Sequence, residues 1–358
     1  MAVPSSTSNF EREIPNLPWR GLLIAVLVIS CAAAAGWEKY CRSLGYAPTL
    51  NDTADLWAQE RGKVQRNSIV IVGDSRPLFD LDLDQLEAGL GQRPIQLAIP
   101  GSCAYPVLAD LAADQKFAGT VICSIVPGMW LAPGGMLVEH SNLALKRFHN
   151  WTPAQRASHY LGLLLEERIA CLRQEDLTLP ILLAKLPIPN RTDVHLPPEL
   201  PPYFQELDRD RRCRMSASCA TPGALQTRVK EGWIPLFTPP PPPAFVPLQV
   251  FQSVTEQAIE ARFRGTAVAV EQIRARGGKV VFVRFPMTGK VKEIEDRGTP
   301  RAGIWARLLK ESAAPGIYFE DYPELASFDC PEWSHLSAAD SVEFSKRLVP
   351  HLKLALAN

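Results

Sequence analysis

The stretch Ser68-Ile69-Val70-Ile71-Val72-Gly73-Asp74-Ser75-Arg76 decides the fold. Four consecutive β-branched residues ending in Gly are the pattern of a strand buried on both faces, as in a parallel sheet. The same pattern returns along the chain. Residues 95–99 read IQLAI, 120–126 TVICSIV, 279–285 KVVFVRF, and 317–319 supply a short fifth run. Between them lie stretches with helical spacing of apolar positions: 83–90, 104–116, 253–276 and a closing helix from about 338 to Pro350 or, kinked there, to about Leu354. Gly277-Gly278 stops the helix before the fourth run. Strand–helix alternation of this kind predicts a three-layer α/β domain with a parallel sheet.

The 358 residues suffice for one large domain or two ordinary ones. With 38 basic against 38 acidic side chains the formal charge is zero, which argues against nucleic acid as a partner, since that needs a basic surface. Eight Cys without a CxxC or Cys/His cluster suggest neither a disulfide scaffold nor a zinc site. Cys213 and Cys219 are close enough in sequence to bridge a small loop in an oxidising compartment. No cofactor is implied. His140, His149, His159, His195 and His351 show no metal-ligand spacing, so no metal is expected.

Residues 21–37, GLLIAVLVISCAAAAGW, carry no charge over 17 positions and are flanked by Trp19 and Trp37. That is just long enough to read as a membrane span with interfacial anchors. Arg12 and Arg20 precede it and Lys39 and Arg42 follow, so charge barely decides orientation. A short cytoplasmic tail (1–20) with the large domain exported is the expected arrangement: single-pass in the inner membrane, domain in the periplasm or cell exterior. Cleavage near Ala33-Ala34-Ala35, or lipidation at Cys31 in Val28-Ile29-Ser30-Cys31, are alternatives that also export the domain. Residues 38–64 then read as a linker, 65–133 and 251–358 as two parts of one core, and 134–250 as an insertion. The insertion opens with a helix from Thr152-Pro153 to about Gln174. Within it, residues 180–247 hold 15 of the 32 Pro, five of them consecutive at 239–243. It reads as a stiff spacer or a lid, or as a docking strip for a partner or polysaccharide.

In doubly wound sheets the reactive groups collect at the carboxyl ends of the strands. Those ends carry Gly73-Asp74-Ser75-Arg76, Pro100-Gly101-Ser102, Pro127-Gly128 and Pro286-Met287-Thr288. Asp329-Cys330-Pro331-Glu332-Trp333-Ser334-His335 precedes the closing helix. A Ser at a strand-to-helix turn, a His as base and a carboxylate to orient it make a nucleophilic set. Glu332 and His335, three apart, fall on one side of a turn. Asp74 reads as a turn-stabilising residue, and Trp130, Trp151 and Trp233 as buried aromatics or sugar-stacking surfaces.

In this order, GDS after the first strand, Gly after the second and acid-x-x-His near the C-terminus, the chain resembles the SGNH (GDSL-like) hydrolases. It is similar in particular to membrane-anchored bacterial members that act on O-acyl groups of exported polysaccharides. The likeness covers about residues 65–130 and 253–354. It implies an SGNH-hydrolase-like fold with Ser75 as nucleophile, His335 as base, Glu332 as orienting acid, and the Ser75 and Gly101 N–H groups as oxyanion donors. The family's acid is usually Asp at that spacing, and Asp329 is the alternative here. The family's Asn after the third strand is missing from residues 125–130. Arg76 and Arg284 are candidate contacts for a carboxylate or sugar. The implied activity is an esterase or O-acyltransferase on acyl groups of a cell-surface polysaccharide, acetyl first among them. Its partners would be that polysaccharide, the membrane and a membrane polysaccharide synthase or acyltransferase. The rival expectation is a non-catalytic accessory subunit that binds glycan or such a membrane partner.

Overall fold

The computed structural model describes residues 17–184, 186, 201–238, 245 and 247–357. Residues 1–16, the proline run 239–243 and His195 lie outside them.

The expected runs form strands β1 (Ile69–Val72), β2 (Ile95–Gln96), β3 (Thr120–Ser124), β6 (Lys279–Arg284) and β7 (Gly316–Tyr318); β4 (Gln205–Leu207) and β5 (Cys213–Met215) lie between β3 and β6. Strands β2-β1-β3-β6-β7 make one all-parallel sheet in that order, and β4 and β5 a separate antiparallel pair. Val70, Ile71 and Val72 are fully buried, as a central strand covered on both faces requires. Regular pairing in β2 stops after two residues, yet the chain stays beside β1: Leu97 N–H donates to Ile71 O and Ile99 N–H to Gly73 O, both at 2.9 Å. The strand order reverses between β1 and β3, and such a reversal opens a crevice at the carboxyl ends.

Helices form the two outer layers. Helix Ala338–Ala357 packs against Leu83–Leu90, Ser75–Asp80, β6 and β7. Helix Leu248–Ala275 packs against Tyr105–Ala113, Arg301–Ser312 and β6. The closing helix runs on through Pro350.

Three expectations change. Residues 38–64 are more than a linker: helix Ala54–Arg61 buries Leu56 and Trp57, and the Trp57 indole donates to Leu97 O at 2.9 Å. The helix expected to reach Gln174 ends at Glu166. Its Thr152 cap and Gln155 make a reciprocal capping box, as Thr before Pro foretells. Cys213 and Cys219 are both buried thiols with no disulfide between them.

One N-terminal helix, Trp19–Ser43, is long and apolar enough to cross a membrane. Its C-terminal turns join the rest of the chain. Glu38 Oε1 and Oε2 accept the Ala170 and Cys171 N–H groups at 3.0 and 2.8 Å, and Arg42 donates to Arg168 O at 2.8 Å.

Candidate active site

The turn after β1 is held by its own residues. Asp74 caps helix Ser75–Asp80 by accepting the Arg76 N–H at 2.9 Å, and its other oxygen accepts Ser124 Oγ–H at 3.1 Å. Asp74 thus ties the ends of β1 and β3 together, the structural part expected of it. A Cβ on Gly73 would come within 2.5 Å of Ser124 Cβ and 2.7 Å of Pro77 Cγ, so only Gly lets the turn close against β3. The geometry leaves Ser75 half-exposed at the carboxyl edge of the sheet.

His335 arrives from 260 residues away and its Nε2 lies 2.8 Å from Ser75 Oγ. Its Nδ1 is 2.9 Å from Glu332 Oε1. A carboxylate has nothing to donate, so Nδ1 carries the proton and Nε2 is left to accept the Ser75 hydroxyl. Both Glu332 and His335 are 0% exposed. Glu332 Oε1 also accepts the backbone N–H groups of His335 at 2.5 Å and Ser334 at 3.3 Å, which folds the acid back over its own turn. Asp329, the alternative acid, is exposed and makes no contact with His335.

Three features of this arrangement were not legible in the sequence. First, the remaining oxygen of Glu332 accepts the indole N–H of Trp233, which sits on helix Ala224–Phe237 of the insertion. Second, the imidazole is boxed by rings, with Phe79, Trp233 and Phe204 centroids at 4.6, 5.6 and 5.7 Å. Third, Asp80 accepts the Leu336 N–H at 2.8 Å and so pins the residue after the histidine. Burial pushes the Asp80 carboxyl well up, further than the Leu336 N–H and Arg76 draw it down. Its second oxygen is buried without a partner among the described residues.

Gly101 takes φ +61°, the left-handed region that only Gly enters freely. It shares a cavity of about 180 Å³ with Ser75 and His335. Neither the Ser75 nor the Gly101 backbone N–H has an acceptor among the described residues. The two residues border one cavity, and an oxyanion there would call on N–H donors of this kind. The turn after β3, in helix Pro127–Trp130, adds no Asn, and contributes Met129 to the cavity instead.

Arg76 and Arg284 are not ligand contacts. Both are buried, at 1% and 3% exposure, and both pair with Glu295 of helix Gly289–Gly298. Arg284 also donates to Ile125 O at 3.2 Å. Burial alone would raise the Glu295 carboxyl, but the guanidiniums of Arg284 and Arg76 outweigh it and hold the pKa at about 2. The Arg at position 76 thus faces a sealed ion cluster rather than the cavity that Ser75 borders. Trp130 is buried edge-on against Phe263 at 5.0 Å, outside that cavity. Among the described residues no group of three or more metal-capable side chains comes together.

Chemically, the set contains a hydroxyl with a base in contact, an acid that fixes the base's tautomer, and N–H donors on two residues that border one cavity. Compared with known proteins, the chain matches no family model, no curated protein and no solved structure.

Proposed function

We propose that the chain is a membrane-anchored serine enzyme of the SGNH type that cleaves or transfers acyl groups through a Ser75 acyl-enzyme. The observation that carries this reading is the continuous line Ser75 Oγ–His335 Nε2, His335 Nδ1–Glu332 Oε1, at 2.8 and 2.9 Å. In the first half-reaction Ser75 Oγ attacks the ester carbonyl carbon while its proton passes to His335 Nε2. Glu332 stays ionised and stabilises the imidazolium. The carbonyl oxygen takes the negative charge and accepts the Ser75 and Gly101 N–H groups. The C–O bond to the leaving alcohol then breaks, and His335 returns the proton to that oxygen. In the second half-reaction water, giving hydrolysis, or a sugar hydroxyl, giving transfer, attacks the acyl-enzyme with His335 again as base.

The apolar helix Trp19–Ser43 supports a membrane anchor; the cytoplasmic membrane and an exported catalytic domain belong to the proposal. Residual resemblance to anchored polysaccharide O-acyl enzymes makes an exported polysaccharide the proposed acceptor or substrate, supplied by a membrane synthase or acyltransferase. The accessory-subunit reading has no observation in its favour that the line of three residues does not outweigh.

The test uses the full chain in lipid nanodiscs. An alkyl fluorophosphonate should label wild type and not Ser75→Ala, and ester hydrolysis should fall by on the order of 10⁴-fold in that variant. Labelling and turnover unaffected by Ser75→Ala would sink the proposal.

A further inference from the structure

The walls of the cavity beside Ser75 are almost wholly apolar: Phe79, Met129, Leu137, Phe204, Leu236 and Phe237. Beside the reacting pair the polar side chains of the lining are His140, Tyr203, Gln205 and Trp233, whose indole N–H is taken by Glu332. An acyl ester attacked by Ser75 has two ends, and only one can occupy a hollow of this kind. A sugar brings several hydroxyls, each of which loses water on entry and finds no partner there. An aliphatic chain loses nothing. An apolar cavity of about 150 Å³ admits a six-carbon ring, so a space of about 180 Å³ takes a chain of about six carbons or a little more. The methyl of an acetyl group leaves most of that space and its apolar walls unfilled.

Resting on the serine-enzyme reading above, we propose that the acyl group handled at Ser75 is a linear chain of about six to eight carbons rather than acetyl. Most of the wall is not built by the α/β core, and Leu137 belongs to helix Met136–His149 of the insertion. Phe204 precedes β4, and Leu236 and Phe237 end helix Ala224–Phe237, the helix whose Trp233 also holds Glu332. The insertion therefore selects the chain.

Full-length protein in nanodiscs supplies the test. Ser75-dependent hydrolysis of p-nitrophenyl esters is measured from acetyl to dodecanoyl. Each methylene that enters the hollow should raise kcat/KM about fourfold. Hexanoyl should therefore exceed acetyl by about two orders of magnitude, with the rise ending near octanoyl. Leu236 is partly exposed, so Leu236→Trp narrows the hollow without straining the core. It should cut the hexanoyl-to-acetyl ratio at least tenfold. Binding is read separately, by calorimetric titration of Ser75→Ala with hexanamide and acetamide. Tighter hexanamide binding that the added Leu236→Trp change removes supports the pocket even if no ester is turned over, and in that case only the serine-enzyme reading fails. Acetyl esters cleaved as fast as hexanoyl, or hexanamide bound no tighter than acetamide, overturns the proposal.

Discussion

Two buried carboxylates flank the turn after β1, and chain neighbours Ser75 and Arg76 belong one to each. Glu295 meets two guanidiniums, from Arg76 and Arg284. Glu332 meets only neutral donors: two backbone N–H groups, the Trp233 indole and the His335 ring. Both are almost fully buried, so the contrast lies in compensation rather than exposure. At Glu295 the charge is answered in the resting protein, and nothing is left for a reaction to do. At Glu332 hydrogen bonds keep the carboxylate buried but supply no opposite charge. In the proposed mechanism the charge that would answer it arises on His335 when that ring takes the Ser75 proton, at a separation where a low-dielectric surround makes the attraction strong. A sealed ion cluster is scaffold; a carboxylate held by neutral donors favours a transient cation.

The sharpest way to break this contrast is to neutralise each acid in turn. Glu332→Gln should lower kcat for the best ester by about 10³-fold or more through the wrong His335 tautomer, while the protein still folds. Glu295→Gln should do the reverse. It leaves two buried guanidiniums uncompensated and should destabilise the fold by about 3–5 kcal/mol, read as a lowered thermal midpoint. If Glu295→Gln abolished activity at unchanged stability, the division between scaffold and site would be wrong. The pH limb sharpens the same point. Glu295 titrates below its ordinary value, so its contribution is present above about pH 4.5 and is lost as pH falls toward about 2. That acid-side loss should shrink in Glu295→Gln.

A smaller effect is expected at Trp233→Phe, which keeps the ring and removes the indole donor to Glu332. A lost hydrogen bond to a charged group should reduce kcat about 10- to 100-fold with KM for acetyl esters little changed. The smallest effect concerns Asp80. Its folded-state pKa is raised, so wild-type stability is fully present below about pH 3.8 and is progressively lost as pH rises above it. Asp80→Asn should flatten that slope, with thermal midpoints at pH 5 and pH 8 closer together than in wild type. An unchanged slope would mean that Asp80 is already ionised and paired.

What the sequence revealed and what it hid follow from range. Ser68 to Arg76 announces a strand, a cap and a nucleophile turn within nine positions, and Glu332 and His335 lie within one turn of each other. Each of those is a local pattern with a local cause. Of the two acids weighed for His335, Glu332 at the shorter spacing meets the ring, and Asp329 is exposed. Arg76 and Arg284 misled because a charged side chain reads as surface until its partner is known, and Glu295 lies 219 residues from Arg76. Trp233 is hidden for the same reason: 99 residues separate it from Glu332, and no periodicity announces an indole N–H aimed at a carboxylate. The halt of helix Pro153–Glu166 is also imposed from afar. The residues that were to continue it turn their N–H groups toward Glu38 instead.

That last contact has a mechanical consequence. A domain tied to a bilayer by loose chain samples a hemisphere of positions and meets its target by diffusion on a leash. Here Glu38 grips two successive backbone amides and Arg42 a carbonyl of the same segment. On the proposed membrane anchor, helix and domain would tilt and rotate together like a signpost on its post. Such a strut would fix both the height of the Ser75 hydroxyl and its compass heading, so reach would be traded for aim, and an acceptor of the proposed enzyme would have to be delivered to one spot.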